Sequence, residues 1–143
     1  MKAKFEESNY IFFQPNPSYD SSVPKSKQVL HEDCSIRGIC AATEKTWEEV
    51  YDLLCDAGKK VFDVPSSDMA IEYVLSHLGF TKHTIKIEKG KKRENVSAFV
   101  RNRSDKRIVM RISNHIVGGH GGKYYDSWNC GYKCVYTYYE KEL

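Results

Sequence analysis

Hydrophobic positions recur at helical spacing through the first half of the chain and at alternate positions through much of the second. Asn9 to Gln14 is rich in aromatic and β-branched residues and is stopped by Pro15, which predicts a short strand. Ile36, Ile39, Cys40 and Thr43 follow Asp33 at helical intervals, so a first helix begins at Cys34 with Asp33 as its N-cap. Thr46-Trp47-Glu48-Glu49 has the form of a capping box, and Trp47, Val50, Tyr51 and Leu54 supply the apolar face of a second helix that Gly58 ends. Ser66 or Ser67 caps a third, striped by Ile71, Val74, Leu75 and Leu78 and closed by Gly79.

From Lys82 the period changes to two, with Ile85 and Ile87 alternating against charged residues, and Gly90-Lys91-Lys92 turns the chain. A short helix over Glu94 to Arg103 precedes strands at Arg107 to Ser113, His115 to Gly118, Lys123 to Trp128 and Cys134 to Tyr139. Helices first and strands last predict an α+β domain, with N-terminal helices packed on a C-terminal antiparallel sheet. Residues 15–27, with three prolines and four serines, form a long irregular loop. Such a loop either covers or builds a site, or is a mobile arm.

The length of 143 residues fits a single domain spanning 1–143. An apolar fraction of 41% with 13% aromatics predicts a packed core and excludes a disordered chain. No window approaches the roughly 20 apolar residues of a membrane span, and Met1 to Phe13 lacks a secretory pattern, so the expected location is cytoplasmic with no membrane partner. Five cysteines are an odd set, which rules out a complete disulfide framework and predicts free thiols. The net charge of +3 conceals a basic block at residues 82–107, which carries +7 and leaves −4 for the rest. Such a block is a solvated face or contacts an acidic protein or nucleic acid.

Cys34 at a helix N-terminus is electrostatically favoured to ionise, because unpaired N–H groups and the positive end of the helix dipole stabilise an anion there. A base for that thiol is found late in the chain. Ile-Val-Gly-Gly-His-Gly-Gly-Lys-Tyr-Tyr, between His115 and Asp126, reads as a hairpin. A turn centred on His120-Gly121 opposes Gly119 with Gly122, Gly118 with Lys123, and His115 with Asp126. Opposed residues on one face have Cβ atoms roughly 4.5–5.5 Å apart, so the carboxylate can accept the imidazole N–H and orient a base. Trp128 shares that face and would shield the pair from water.

A helix-leading cysteine followed by His and then Asp on adjacent late strands resembles the papain-like cysteine peptidases, in the small C39-like branch where Asp replaces the usual Asn. More narrowly, Asn16-Pro17, Asp33-Cys34-x-Ile36-Arg37, the Trp47-to-Tyr51 helix and His115 through Gly122-Lys123-x-Tyr125-Asp126-Ser127-Trp128 resemble small phage and prophage proteins of papain fold. The resemblance implies a papain-like fold and a cysteine peptidase or amidase, with Cys34 as nucleophile, His115 as base and then acid, and Asp126 as orienter. It implies a peptide or isopeptide substrate and no cofactor. The oxyanion hole would use the Cys34 N–H and one side-chain amide, from Gln28 or from Asn16. Trp128 is a substrate-contact candidate.

Other readings compete. The same triad would serve a deamidase or acyl transferase acting on a partner protein, because all pass through a thioester. A non-catalytic module would use the basic block alone. Gly118, Gly119, Gly121 and Gly122 precede no helix, so a phosphate-binding loop is excluded and a hairpin turn accounts for them. His31, Cys34, Cys130 and Cys134 lack zinc-site spacing, so no metal is expected. His120 reads as a solvated turn residue, and the late tyrosines as sheet and core rather than base-stacking platforms.

Overall fold

The sheet has six strands in the order β1-β5-β4-β3-β6-β2, with helices on both of its faces, in a computed structural model that describes residues 7–143. In chain order the elements are β1 (Tyr10–Phe12), α1 (Cys34–Thr43), α2 (Trp47–Val61), α3 (Asp68–His77), β2 (Thr81–Thr84), α4 (Val96–Arg101), β3 (Lys106–Ile112), β4 (His115–His120), β5 (Lys123–Asp126) and β6 (Thr137–Glu142). This is the α+β class. The sheet is mixed rather than antiparallel, because β1 joins its edge parallel to β5, with Phe12 opposite Asp126.

Local signals explain most helix ends. The capping box forms in full: the Thr46 hydroxyl accepts from the Glu49 N–H, and the Glu49 carboxylate accepts from the Thr46 N–H. Ser67 and Asn95 cap α3 and α4 through the N–H groups of Ala70 and Ala98. α2 runs past Gly58 to Val61 and ends on Phe62 in the left-handed conformation. A Cβ on Gly58 would press on the Asp63 carbonyl, so this glycine admits the returning chain rather than ending the helix.

Two neighbouring strands of the sheet, β2 and β6, differ from the sequence pattern. β2 covers Thr81–Thr84, and Ile87 is exposed outside it. β6 starts at Thr137, although the Ile85 N–H still donates to the Tyr136 carbonyl at 3.0 Å.

The core divides across the sheet. Ile39, Leu54, Ile71, Leu75, Val109 and Ile116 pack between α1–α3 and one face. Phe99, Val100, Ile108, Met110, Val117 and Tyr124 pack under α4 on the other. Period-two alternation in β3 and β4 feeds both clusters, so the central strands are buried on both sides.

α1 lies directly on β4, and glycines make this possible. A Cβ on Gly118 would collide with the Gly38 carbonyl of α1, and one on Gly119 with the Lys123 carbonyl of β5. Gly118 and Gly119 are therefore close-approach residues within a strand. Only Gly121 and Gly122, at φ 61° and 81°, make the turn.

Candidate active site

The turn at Gly121-Gly122 pairs His120 with Lys123, Gly119 with Tyr124 and Gly118 with Tyr125. The expected register is thus corrected by two residues, because two consecutive positive-φ positions suit glycine and His120 stays in the strand. Carried onward, this register opposes His115 to Trp128 rather than to Asp126. A shift of two preserves the face, so Asp126 becomes a diagonal neighbour and remains in reach.

The Nε2–H of His115 donates to Asp126 Oδ2 at 2.6 Å. Asp126 is fully buried, and an ionised carboxylate only accepts, which fixes the proton on Nε2 and leaves Nδ1 for the thiol. The β4–β5 ladder ends at Gly118 and Tyr125, and side chains from α1 meet the two strands where it stops. Cys34, the first residue of α1, lies close enough to the His115 ring and the Ile116 N–H for both to act on its ionisation. The Trp128 ring lies 4.9 Å from that of His115 and is partly exposed.

Burial by itself would raise the Cys34 thiol pKa. The His115 ring, the Ile116 N–H and the Arg37 charge outweigh it and hold the thiol below its ordinary value. Burial likewise opposes a charged His115, but its bonds to Asp126, Cys130 and Cys34 push the ring up to about 11. For Asp126, the desolvation penalty is overcome by the His115 bond and the Arg37 charge, so the carboxyl stays below its usual range. The arrangement favours a thiolate beside an imidazolium.

Three parts of the site carry no signal strong enough to assign from sequence. Arg37 Nε donates to Asp126 Oδ1 at 2.8 Å, and its Nη1 donates to Asp33 Oδ1 at 2.8 Å. Asp33 stands at the N-cap position but does not cap; its other oxygen accepts from Trp47 Nε1 at 3.1 Å and Asn16 Nδ2 at 2.9 Å. Cys130, fully buried, donates its S–H to Asp126 Oδ2 at 3.3 Å. The opposite charges of Asp33 and Arg37 at i and i+4 were the available sequence clue to this buried network.

The two oxyanion candidates are placed differently. The Gln28 amide donates to the loop carbonyls of Asp20 and Val23. The Asn16 amide is held against Asp33, next to Cys34 in the chain. The loop at 15–27 is stitched beside the site by this bond and by Ser18 Oγ to His31 Nε2 at 2.8 Å.

His115, Asp126 and Cys130 present ligand-type atoms within 4.8 Å of one another, the metal-like grouping among the described residues. Asp126 Oδ1 is already taken by Arg37 and by the Ser127 N–H at 2.7 Å, and the guanidinium repels a cation. The hydrogen-bonded network accounts for the cluster without a metal. His31 and Cys134 lie in other contacts, with Ser18 and the Arg93 carbonyl.

His120 is no solvated turn residue: it ends β4, bonds the Ala41 carbonyl through Nδ1 at 2.8 Å and stacks on Tyr125 at 4.8 Å. Much of the basic block is engaged within the fold. Lys82 pairs with Glu72, Lys106 with Glu142 and Arg107 with Glu44, while Arg103 lies 3.6 Å over the Phe99 ring. All five cysteines are free, and no helix among the described residues is long and apolar enough to cross a membrane. No protein-family model, no curated protein and no solved structure matches the chain.

Proposed function

We propose that the protein is a papain-like thiol hydrolase that cleaves a peptide or isopeptide bond through a thioester on Cys34. One observation carries the reading: the buried Asp126 holds Nε2 of His115 at 2.6 Å, and this ring acts on the ionisation of the thiol at the head of α1. The Cys34 thiolate adds to the carbonyl carbon, and the protonated His115 delivers its proton to the leaving amine as the C–N bond breaks. Water then adds to the thioester, giving its proton to His115, and the acid leaves as the Cys34 sulfur is released.

The Cys34 N–H, unpaired at the first turn of α1, and the Asn16 amide are the proposed oxyanion donors. Asn16 is favoured over Gln28 because the Gln28 amide is spent on loop carbonyls. The free cysteines suit a reducing, cytoplasmic setting.

Alkylation tests the reading. Iodoacetamide at mildly acidic pH labels Cys34 in the native protein faster than in the denatured protein, and equal rates refute it. Intact-mass analysis of a protein mixture incubated with wild type and with Cys34→Ala separates the outcomes: fragments mean hydrolysis, whereas a gain of about one dalton means deamidation by the same thioester route.

A further inference from the structure

Arg37 is a buried cation between two buried carboxylates. We infer that Arg37 is the positioning residue of this site, its guanidinium tying Asp33 to Asp126 so that the second oxygen of Asp126 is presented to His115. The inference rests on the thiol-hydrolase reading and goes beyond its three residues.

Donor counting supports it. An ionised carboxylate has about four acceptor positions. On Asp126, Oδ1 takes Arg37 Nε–H and the Ser127 N–H, and Oδ2 takes His115 Nε2–H and the Cys130 S–H. With one oxygen occupied from α1, the carboxylate cannot rotate away from His115 without taking from the buried Arg37 one of its two carboxylate partners. Arg37 also sits one helical turn after Cys34, so the same helix that carries the thiol orients the group that orients its base.

The charges alternate along the network: Asp33 negative, Arg37 positive, Asp126 negative, His115 positive, Cys34 negative. The other titratable groups facing it are Cys130 from the loop after β5 and Tyr10 from β1, whose hydroxyl donates to the Asp126 carbonyl at 3.0 Å. Glu48 and Glu49 of α2 act on Cys40. Removing Arg37 leaves Asp33 without a counter-charge and Asp126 with only His115, and it takes away a positive charge that favours the thiolate. Removing the charge of Asp33 does the reverse.

The test is the pH profile of Cys34 alkylation by iodoacetamide in the full chain, with circular dichroism and thermal unfolding as fold controls. Arg37→Gln moves the profile to higher pH, a several-fold loss of rate at about pH 6 relative to alkaline pH. Asp33→Asn moves it to lower pH. That variant keeps the Arg37–Asp126 pair and an acceptor for Trp47, so it decides the matter even where Arg37→Gln unfolds. A folded Arg37→Gln or Asp33→Asn with the wild-type profile overturns the inference, as a purely structural Arg37 would change only the melting temperature. Wild-type Cys34 that labels no faster than denatured protein refutes the underlying enzymatic reading instead.

Discussion

His115 and Asp126 are joined at 2.6 Å across strands in which they are not opposed. Carried past the end of the ladder, the register points His115 at Trp128, whose ring lies 4.9 Å from the imidazole. A hairpin with the turn one residue earlier, and so a register shifted by two, would have put the carboxylate opposite the histidine and carried the tryptophan beyond it. The observed register therefore yields both an imidazole held by a buried carboxylate and an aromatic ring beside it.

That pairing makes Asp126 the most sensitive position of the site. Asp126→Asn removes the charge that favours a protonated His115 and leaves Arg37 with only Asp33. Breaking a buried ion pair from one side costs roughly 3–5 kcal/mol, so the urea midpoint of the variant should fall markedly. Cys34 alkylation at mildly acidic pH should fall with it, since the imidazolium that stabilises the thiolate is weakened. A variant as stable and as reactive as wild type would remove Asp126 from the site.

His115 also sets a pH dependence of stability. Its folded pKa is raised from 6.5 to about 11. A raised pKa contributes stability that is fully present below the unfolded value and is lost as pH rises through the folded one. The difference in unfolding free energy between wild type and His115→Gln should therefore be largest below about pH 6.5 and shrink towards pH 11. Denaturation curves across that range measure it, and a difference that grows with pH would contradict the charged-ring arrangement.

The four glycines of the hairpin should respond in two distinct ways. Gly118→Ala forces a Cβ into the Gly38 carbonyl and must separate α1 from β4, at a cost of about 3 kcal/mol or more, and it displaces Cys34 from His115. Gly121→Ala meets open space and pays only for its positive φ, about 1 kcal/mol. Equilibrium unfolding separates them, and Cys34 labelling should be disturbed by the first alone. Equal costs would mean that α1 does not rest on β4 through Gly118.

Much of this architecture was legible because it rests on local chemistry. The Thr46 capping box, the Ser67 cap and the stripe of α3 need only neighbours within a turn, and they form as the spacing implies. The face shared by His115, Asp126 and Trp128 survived an error in the turn because a two-residue shift keeps period-two parity. Longer-range features were not legible. The parallel docking of β1 on β5 depends on a partner more than a hundred residues away. Gly118 and Gly119 resemble turn glycines until the helix and strand that press on them are in place. Asp33 reads as a cap, but Arg37, Trp47 and Asn16 offer its carboxylate stronger partners than the α1 backbone does. Cys130 gave no sign at all, since a single buried thiol donor to Asp126 has no spacing rule.

The second thiol at the site supplies the sharpest contrast. Cys34 is half-buried with its pKa held down, whereas Cys130 is fully buried and desolvation pushes its pKa up. Cys40, also buried, is pushed up to about 12. Iodoacetamide attacks the thiolate, so native protein should be labelled at Cys34 well before Cys130 or Cys40, and all three should react alike once unfolded. Peptide mapping after brief labelling reads this order. Cys130 acts here as a donor, not a nucleophile, so Cys130→Ser should keep the hydrogen bond to Asp126 and the Cys34 labelling profile. Cys130→Val fills the space without donating; it leaves Asp126 Oδ2 short of one partner and should cost about 1–3 kcal/mol. If Cys130 reacts first, or if Cys130→Ser abolishes Cys34 labelling in a folded protein, the two cysteines have exchanged roles and the thioester would have to form on Cys130.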